Sequence, residues 1–419
     1  MSASLPRSDA SALPMRTKLV WVSILSVASG LPYGIVFLLV PVYLRQGPGA
    51  ELSFITKVTS IATLAWTLKF LWAFLIDRFG TRKRWVLTMQ VLLGGLILSA
   101  GFVDPVASAG LFAAIIIAIA YASATQDIAV DGYTIELFEE RELGPANGAR
   151  VTAYRIALII SSGLLVWLAG VTGRWEIAFL GAAALILAMF GMSLFLPAGS
   201  APVRHASLVE TIWRPLQGLF ALPGFVPVLL FVITFKIGDF ALQYLRGPFW
   251  VDKGFSTAEI GVMVGTVGFG ATIAGAMLGG WLTSRLGVFR ALWMLGLIQA
   301  ASNLGYYAAA VLPKSQGVAY GAVIIEEFTG GMGTAAFLAF LMSICNKRYA
   351  ASQYALLSAG FGLGRTMVGY ASGGFAERLG YAPYFLLTLT LAFPAFLLLP
   401  WVRRIKTVPL TQAERAAAS

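Results

Sequence analysis

Long apolar stretches alternate with short polar breaks along the whole sequence. A helix needs about 20 apolar residues to cross the hydrocarbon layer of a bilayer. Runs of this length are typical of transmembrane helices. The pattern predicts an all-α membrane protein with twelve spans, at residues 18–44, 52–76, 85–103, 106–135, 148–170, 175–197, 223–246, 256–282, 290–312, 317–345, 353–375 and 381–402.

The longest polar break divides the chain near its middle. We expect an N-terminal six-helix bundle at 1–197, a cytoplasmic linker at 198–222, and a C-terminal six-helix bundle with a short cytoplasmic tail at 223–419. A repeat supports this division, because Arg78-Phe79-Gly80 follows the second span and Arg285-Leu286-Gly287 follows the eighth. Paired halves of this kind are typical of secondary transporters, whose substrate sites lie between the repeats near the midplane.

Composition and charge support a chain that lies almost wholly in lipid. Of its 419 residues, 58% are hydrophobic and only 12% are charged, about half the charged share of a soluble domain. The net charge of +11 reflects topology and not nucleic-acid binding. Nineteen of the 30 Lys and Arg residues fall on the side of the N-terminus in this map, whereas Arg246 and six others fall in outer segments. Such an excess predicts that both termini are cytoplasmic.

The remaining composition narrows the chemistry. The chain has one Cys, Cys345, and one His, His205, so we expect no Cys/His metal site and no cofactor. The usual nucleophile–base sets and the ATP-binding P-loop are missing from the sequence, which argues against an enzyme or an ATP-driven pump. A glycine-rich stretch favours close packing of membrane helices over nucleotide binding; it comprises Gly265, Gly268, Gly270, Gly275, Gly279 and Gly280.

Charged residues inside the first six spans are candidates for proton coupling. Lys69, Asp127, Asp131 and Arg155 are predicted to lie at one depth, in the inner halves of their spans. Asp127 and Asp131 are four residues apart and therefore share one helix face. Two interpretations remain open. The four charges form a static ion-pair cluster, or one of the two acids takes up a proton when its basic partner is drawn away.

A second group of charges lies near the midplane of the last six spans. Lys236 and Asp239 are three residues apart and can pair along one face of their helix. Glu326 and Glu327 are about 100° apart around theirs, so they cannot face the same neighbour. We expect one of them to meet Arg365 and the other to face a cavity, a proton or a substrate.

Three tyrosines are candidates for facing the same cavity. Tyr133, Tyr154 and Tyr244 lie within predicted spans, where aromatic rings could stack against a sugar.

The loop after the second span carries an acid, a glycine and a basic cluster. Gly80 permits a tight turn, and Asp77 can pair with a neighbouring arginine or a helix N-terminus. Arg78 and Arg82 complete this candidate gating loop, which resembles the signature of the major facilitator superfamily. The alternative is a plain positively charged loop on the cytoplasmic side.

Longer segments resemble the AmpG-type permeases, the peptide/acetyl-coenzyme A transporter branch of that superfamily. The resemblance is carried by residues 66–72, 123–131, 236–239, 254–261 and 334–358. It implies proton-coupled import of anhydro-muropeptides, which are small anionic sugar-peptides, across a bacterial inner membrane, by a protein that works as a monomer. Siderophore and acetyl-coenzyme A permeases share several of these segments and remain alternatives. An intramembrane enzyme or a receptor that does not transport is a remote one.

Overall fold

The computed structural model describes residues 13–139, 142–197, 224–344 and 350–403. Within these ranges all regular structure is helical. The predicted linker at 198–222, His205 and Cys345 lie outside the described residues.

The described residues form helical segments that we label α1 to α12 in chain order. Their bounds are α1, Met15–Gln46; α2, Leu52–Leu68 with the 3-10 turn Lys69–Leu71 and Ala73–Arg78; α3, Arg82–Ala100; α4, Ala109–Leu137; α5, Leu143–Leu158, Ile159–Leu164 and Leu165–Thr172; α6, Trp175–Ser193; α7, Phe225–Thr234 and Ile237–Asp252; α8, Thr257–Ile260, Gly261–Gly268 and Phe269–Leu286; α9, Val288–Val311; α10, Gln316–Ile344; α11, Ala350–Leu379; and α12, Tyr381–Val402.

Eight of these segments are long and apolar enough to cross a membrane: α1, α4, α5, α6, α7, α8, α10 and α12. The others coincide with predicted spans, and the count of twelve crossings stays a prediction. One boundary was wrong. The seventh span was predicted to end at residue 246, but α7 continues to Asp252. Arg246 is therefore not in an outer segment; it lies inside the helix, with only 7% of its surface exposed.

Three helices contain π turns where their hydrogen-bond register widens: Ile35–Leu39 in α1, Ile159–Leu164 in α5 and Gly261–Gly268 in α8. Such turns are rare and are found mostly as short bulges inside α-helices. In α1 the turn follows Pro32, which has no backbone N–H to give. The turns of α5 and α8 lie against each other.

Glycines bring helices of the two sequence halves into backbone contact along two lines. Between α5 and α8, a Cβ added to Gly265 would lie 2.1 Å from the carbonyl oxygen of Ser162. Between α2 and α11, a Cβ on Gly373 would lie 2.3 Å from the carbonyl oxygen of Leu52. Only a residue without a side chain fits at either place, as is common where membrane helices approach closely.

The packing role predicted for the glycine-rich stretch is confirmed at Gly265, Gly275 and Gly279. An added Cβ on Gly275 would lie 1.9 Å from a backbone oxygen of α10. It is wrong for Gly270 and Gly280, which have open space where a Cβ would project. Those two glycines lie on the outer face of α8, away from α10.

One end of the molecule is closed by contacts between the two sequence halves. Arg45, at the end of α1, forms a two-pronged ion pair with Asp252 of α7 at 2.6 and 2.7 Å. The hydroxyl of Tyr381 also donates to Asp252, at 2.6 Å. Nearby, the backbone N–H of Ser53 donates to Glu377 of α11 at 2.8 Å. This closed end is the one predicted to face outward.

At the opposite end, the ion pairs of the described residues join helices of the same half. Lys18 of α1 pairs with Glu142 at 2.8 Å, and Arg82 of α3 pairs with Glu136 of α4. Between the described residues no ion pair joins the two halves at this end, which is the one predicted to be cytoplasmic.

Candidate transport site

A cavity of about 720 Å³ lies between the two sequence halves. It is lined by residues of α1, α2, α4 and α5 from the first half and α7, α8, α10 and α11 from the second. The lining continues along α5 to Asn147 and Val151, which are exposed, so the cavity opens at the end predicted to be cytoplasmic. Its volume falls within the range of small-molecule sites, about 300–1,000 Å³.

Asp131 is the paired acid of the first-half cluster. Its carboxylate lies 3.4 Å from Lys69, which sits at the 3-10 turn of α2, and it also forms an ion pair with Arg150 of α5. Sequence reasoning missed Arg150, which it placed with the cytoplasmic segments because it lies at the start of a predicted span. Arg155, one turn further along α5, lines the cavity and forms no ion pair within the described residues.

Asp127 differs from Asp131 although both line the cavity from the same face of α4, as predicted. One carboxylate oxygen of Asp127 is buried and has no hydrogen-bond partner among the described residues. The expected mutual neutralisation of the four charges therefore holds for Asp131 and Lys69, while Asp127 and Arg155 stay outside any ion pair in the described chain. A buried, unpaired carboxylate is costly in its charged form.

Lys236 and Asp239 form the predicted ion pair, and both are buried. Lys236 lies at the break between the two parts of α7 and also points to the backbone carbonyl of Gly330 in α10, at 3.4 Å. The break places this lysine on the cavity wall with its charge already compensated.

Glu327 does not meet Arg365, and the prediction that one of the two adjacent glutamates would do so was wrong. Glu327 forms an ion pair with Arg246 instead, and it accepts a hydrogen bond from Thr272 at 2.5 Å. Arg246 lies on the face of α7 that lines the cavity, where it reaches Glu327 of α10. Gly247 and Pro248 follow this arginine, which made it look like a span end.

Glu326 is buried on the other side of α10, with 2% of its surface exposed. One of its carboxylate oxygens has no hydrogen-bond partner among the described residues, and neither has the hydroxyl of Tyr306. The two adjacent glutamates thus face different surroundings, as their spacing requires.

Arg365 is surrounded by aromatic rings. Its guanidinium lies 4.1 Å from the ring centre of Phe37 and 5.2 Å from that of Phe240. It donates a hydrogen bond to the hydroxyl of Tyr33 at 2.5 Å. This contact joins α11 to α1. Tyr33 was not among the tyrosines predicted to face the cavity, because the sequence does not show which tyrosine meets an arginine of a distant helix.

Of the three tyrosines predicted to face the cavity, Tyr154 and Tyr244 do so. Tyr133 does not. It is 1% exposed, and its hydroxyl donates to the carbonyl of Pro197, so it ties α4 to the end of α6.

The cavity wall has an excess of positive charge. Its charged side chains are the bases Lys69, Arg150, Arg155, Lys236, Arg246 and Arg365 and the acids Asp127, Asp131 and Glu327. Lys69 and Arg150 share the single carboxylate of Asp131, and Arg155 and Arg365 have no acidic partner in the described chain, so the cations of the wall outnumber the acids that face or pair with them. This arrangement favours an anionic ligand. No cluster of three or more metal-binding side chains occurs in the described residues.

The candidate gating loop makes a turn at Gly80, whose φ of +75° suits glycine. The matching glycine of the repeat, Gly287, has a φ of +78°. Arg82 pairs with Glu136, and Arg78 is exposed and lies over the ring of Phe79. The side chain of Asp77 lies outside the described ones, so its predicted pairing stays a prediction.

Residues 22–365 match the family profile of the Major Facilitator Superfamily. An anhydromuropeptide permease of Escherichia coli (strain K12) is 36% identical over 81% of this chain and 71% of its own length. A Rickettsia conorii protein named as transporter AmpG 4 is 29% identical over 92% of this chain and 96% of its own.

Two solved transporters have the same fold. A peptide transporter, POT, in complex with sulfate superposes with a TM-score of 0.74 over 96% of this chain and 100% of its own, at 11% identity. The inward open xylose transporter XylE of E. coli superposes with a TM-score of 0.70 over 97% of this chain and 100% of its own, at 13% identity.

Proposed function

This chain belongs to the major facilitator superfamily and is an AmpG-like permease of it, a multi-pass membrane transporter and not an enzyme; from that premise we propose that it imports anhydromuropeptides together with protons. The import would proceed across a bacterial inner membrane, with both termini in the cytoplasm. The similarity to the E. coli anhydromuropeptide permease supports the substrate.

The observation that carries this proposal is the charge of the cavity. Arg155 and Arg365 have no acidic partner in the described chain, which suits the carboxylates of a sugar-peptide. Asp127 faces the same space with one oxygen unpartnered. A buried carboxylate without a partner is costly in its charged form, which supports Asp127 as the acid that takes up the proton, so substrate anion and proton would enter one site.

The proposed cycle is alternating access between two six-helix bundles, with twelve membrane crossings in all. The described state has its cavity open at the end predicted to be cytoplasmic and closed at the other by Arg45 and Asp252. Rocking of the bundles would part this ion pair and close the opposite end. Helices of a single chain line the whole cavity, so a monomer would hold a complete site.

A counterflow experiment tests the substrate. Liposomes that contain the purified protein are loaded with unlabelled anhydromuropeptide and placed in a trace of labelled compound, with no proton gradient. We expect transient accumulation of label, which excess external anhydromuropeptide abolishes and which a ferric siderophore or acetyl-coenzyme A leaves intact. Accumulation that only a siderophore or acetyl-coenzyme A suppresses would contradict the proposed substrate.

A further inference from the structure

We propose that Arg365, held by Tyr33 between the rings of Phe37 and Phe240, is a binding site for one free carboxylate of the transported molecule. The inference rests on the proposed function, because it names the group of the substrate that this part of the cavity recognises. It also assigns to Tyr33 the role of positioning the arginine.

Arg365 has no counter-charge in the described chain. Lys69, Arg150, Lys236 and Arg246 all line the cavity, and each forms an ion pair with an acid of the described chain. Arg365 forms none within the same residues. A charged side chain at membrane depth is rare and is usually paired or functional, so its natural partner is an anion that enters the cavity.

The guanidinium of Arg365 is held in a fixed orientation. The guanidinium carbon lies 4.1 Å from the ring centre of Phe37 and 5.2 Å from that of Phe240, and Nη1 donates a hydrogen bond to the hydroxyl of Tyr33. The Nε atom has no hydrogen-bond partner in the described chain. A planar guanidinium presents its remaining N–H groups as a fork that matches the two oxygens of a carboxylate. A lysine would supply the charge without this geometry.

An aromatic wall lies beside the arginine. The ring of Tyr33 lies 4.3 Å from that of Phe37 and 5.3 Å from that of Trp66, and the ring of Tyr244 lies 5.9 Å from the guanidinium. Such a wall suits the flat apolar face of a sugar or a short aliphatic chain next to the bound carboxylate. The positive charge of Arg365 should make the site prefer a free acid to its amide.

Arg155 is less suited to this role. It lines the same cavity without an acidic partner, but no ring of the described chain stacks on it, and it donates no hydrogen bond to a fixed partner there. Its guanidinium is not held in one orientation, so it would attract an anionic substrate without presenting a fixed pair of N–H donors.

Direct binding tests the site. Anhydromuropeptide and its carboxylate-amidated form are titrated against the full-length protein in detergent. We expect the free acid to bind at least about tenfold more tightly than the amidated form, because only the acid can form a hydrogen bond between charged groups with Arg365. Arg365→Lys and Arg365→Gln should each remove most of this preference, and Tyr33→Phe part of it. Arg378→Lys, on the exposed end of the same helix, should keep it. Equal binding of the two forms to the wild type, or a preference that survives Arg365→Gln, would overturn the site.

A second measurement separates this inference from the proposed function. Benzoate at millimolar concentration should raise the melting temperature of the wild type but not of Arg365→Gln, because a ligand stabilises the state that binds it. Benzamide should raise neither. If benzoate does so while both forms of the muropeptide fail to bind, the substrate is wrong and the carboxylate site stands. If benzoate acts equally on the wild type and Arg365→Gln, or on neither, the site is wrong.

Discussion

Neighbouring charges of this cavity have different surroundings. Asp131 is compensated by two bases, while Asp127, one helical turn away, has an oxygen without a partner in the described chain. Sequence alone could not separate them, because spacing places both on one face and says nothing about which basic side chain reaches which acid. The structure favours Asp127 as the acid that takes up a proton, and that role stays a proposal.

The buried ion pair of Arg246 and Glu327 gives a prediction about stability. Glu327→Gln leaves a buried arginine uncompensated, and we expect it to lower the free energy of unfolding by about 3–5 kcal/mol. Arg246→Met combined with Glu327→Gln should recover most of this loss. Denaturant unfolding in detergent measures both.

The matched control is Arg174→Gln, which breaks an exposed pair with Glu176 and should cost about 1 kcal/mol or less. A double variant as unstable as Glu327→Gln alone would show that the cost does not come from the unpaired charge.

At the scale of helices, the hydrophobic pattern predicted where the helices lie along the chain. It did not predict where their hydrogen-bond register changes. The same apolar residues suit an α turn and a π turn, since hydropathy does not depend on which carbonyl accepts each N–H. The hydrophobic pattern therefore did not predict the π turns of α5 and α8. It also did not show that α7 continues past residue 246. The glycines were visible, but only the structure separates Gly265, which contacts a neighbouring helix, from Gly270, which does not.

Gly265 gives a prediction about the α5–α8 contact. Gly265→Ala places a Cβ 2.1 Å from the carbonyl oxygen of Ser162 and must push the two helices apart where the halves meet. We expect at least about a tenfold loss of counterflow, the size of a transport-barrier change near 1.4 kcal/mol. Gly270→Ala has open space and should transport like the wild type. Equal counterflow by the two variants would show that this contact is not needed for the cycle.

The whole molecule is closed at one end and open at the other. The closing ion pair of Arg45 and Asp252 is only about three-quarters buried on each side chain, with exposed fractions of 24% and 25%. Pairs this close to solvent contribute about 0–1 kcal/mol. A contact of that size can hold one end shut and still be parted in each cycle.

Asp252→Asn should therefore shift the population toward a state open at the Arg45 end, by up to about fivefold. Spin labels on cysteines at Gln46 and Leu379, in a Cys345→Ser background, report this end by their distance distribution. We expect a longer distance in Asp252→Asn and return toward the wild-type distance in Arg45→Asp combined with Asp252→Arg. A distribution that Asp252→Asn leaves unchanged would mean that other contacts close this end.

The most direct test of proton-coupled import is uptake into liposomes that contain the purified protein. Labelled anhydromuropeptide is supplied outside, with the exterior more acidic than the interior or at equal pH. Wild-type protein should accumulate label above its external concentration only with the inward proton gradient. Asp127→Asn should still equilibrate the label and should no longer respond to the gradient. Wild-type uptake that is the same with and without the gradient would contradict the account.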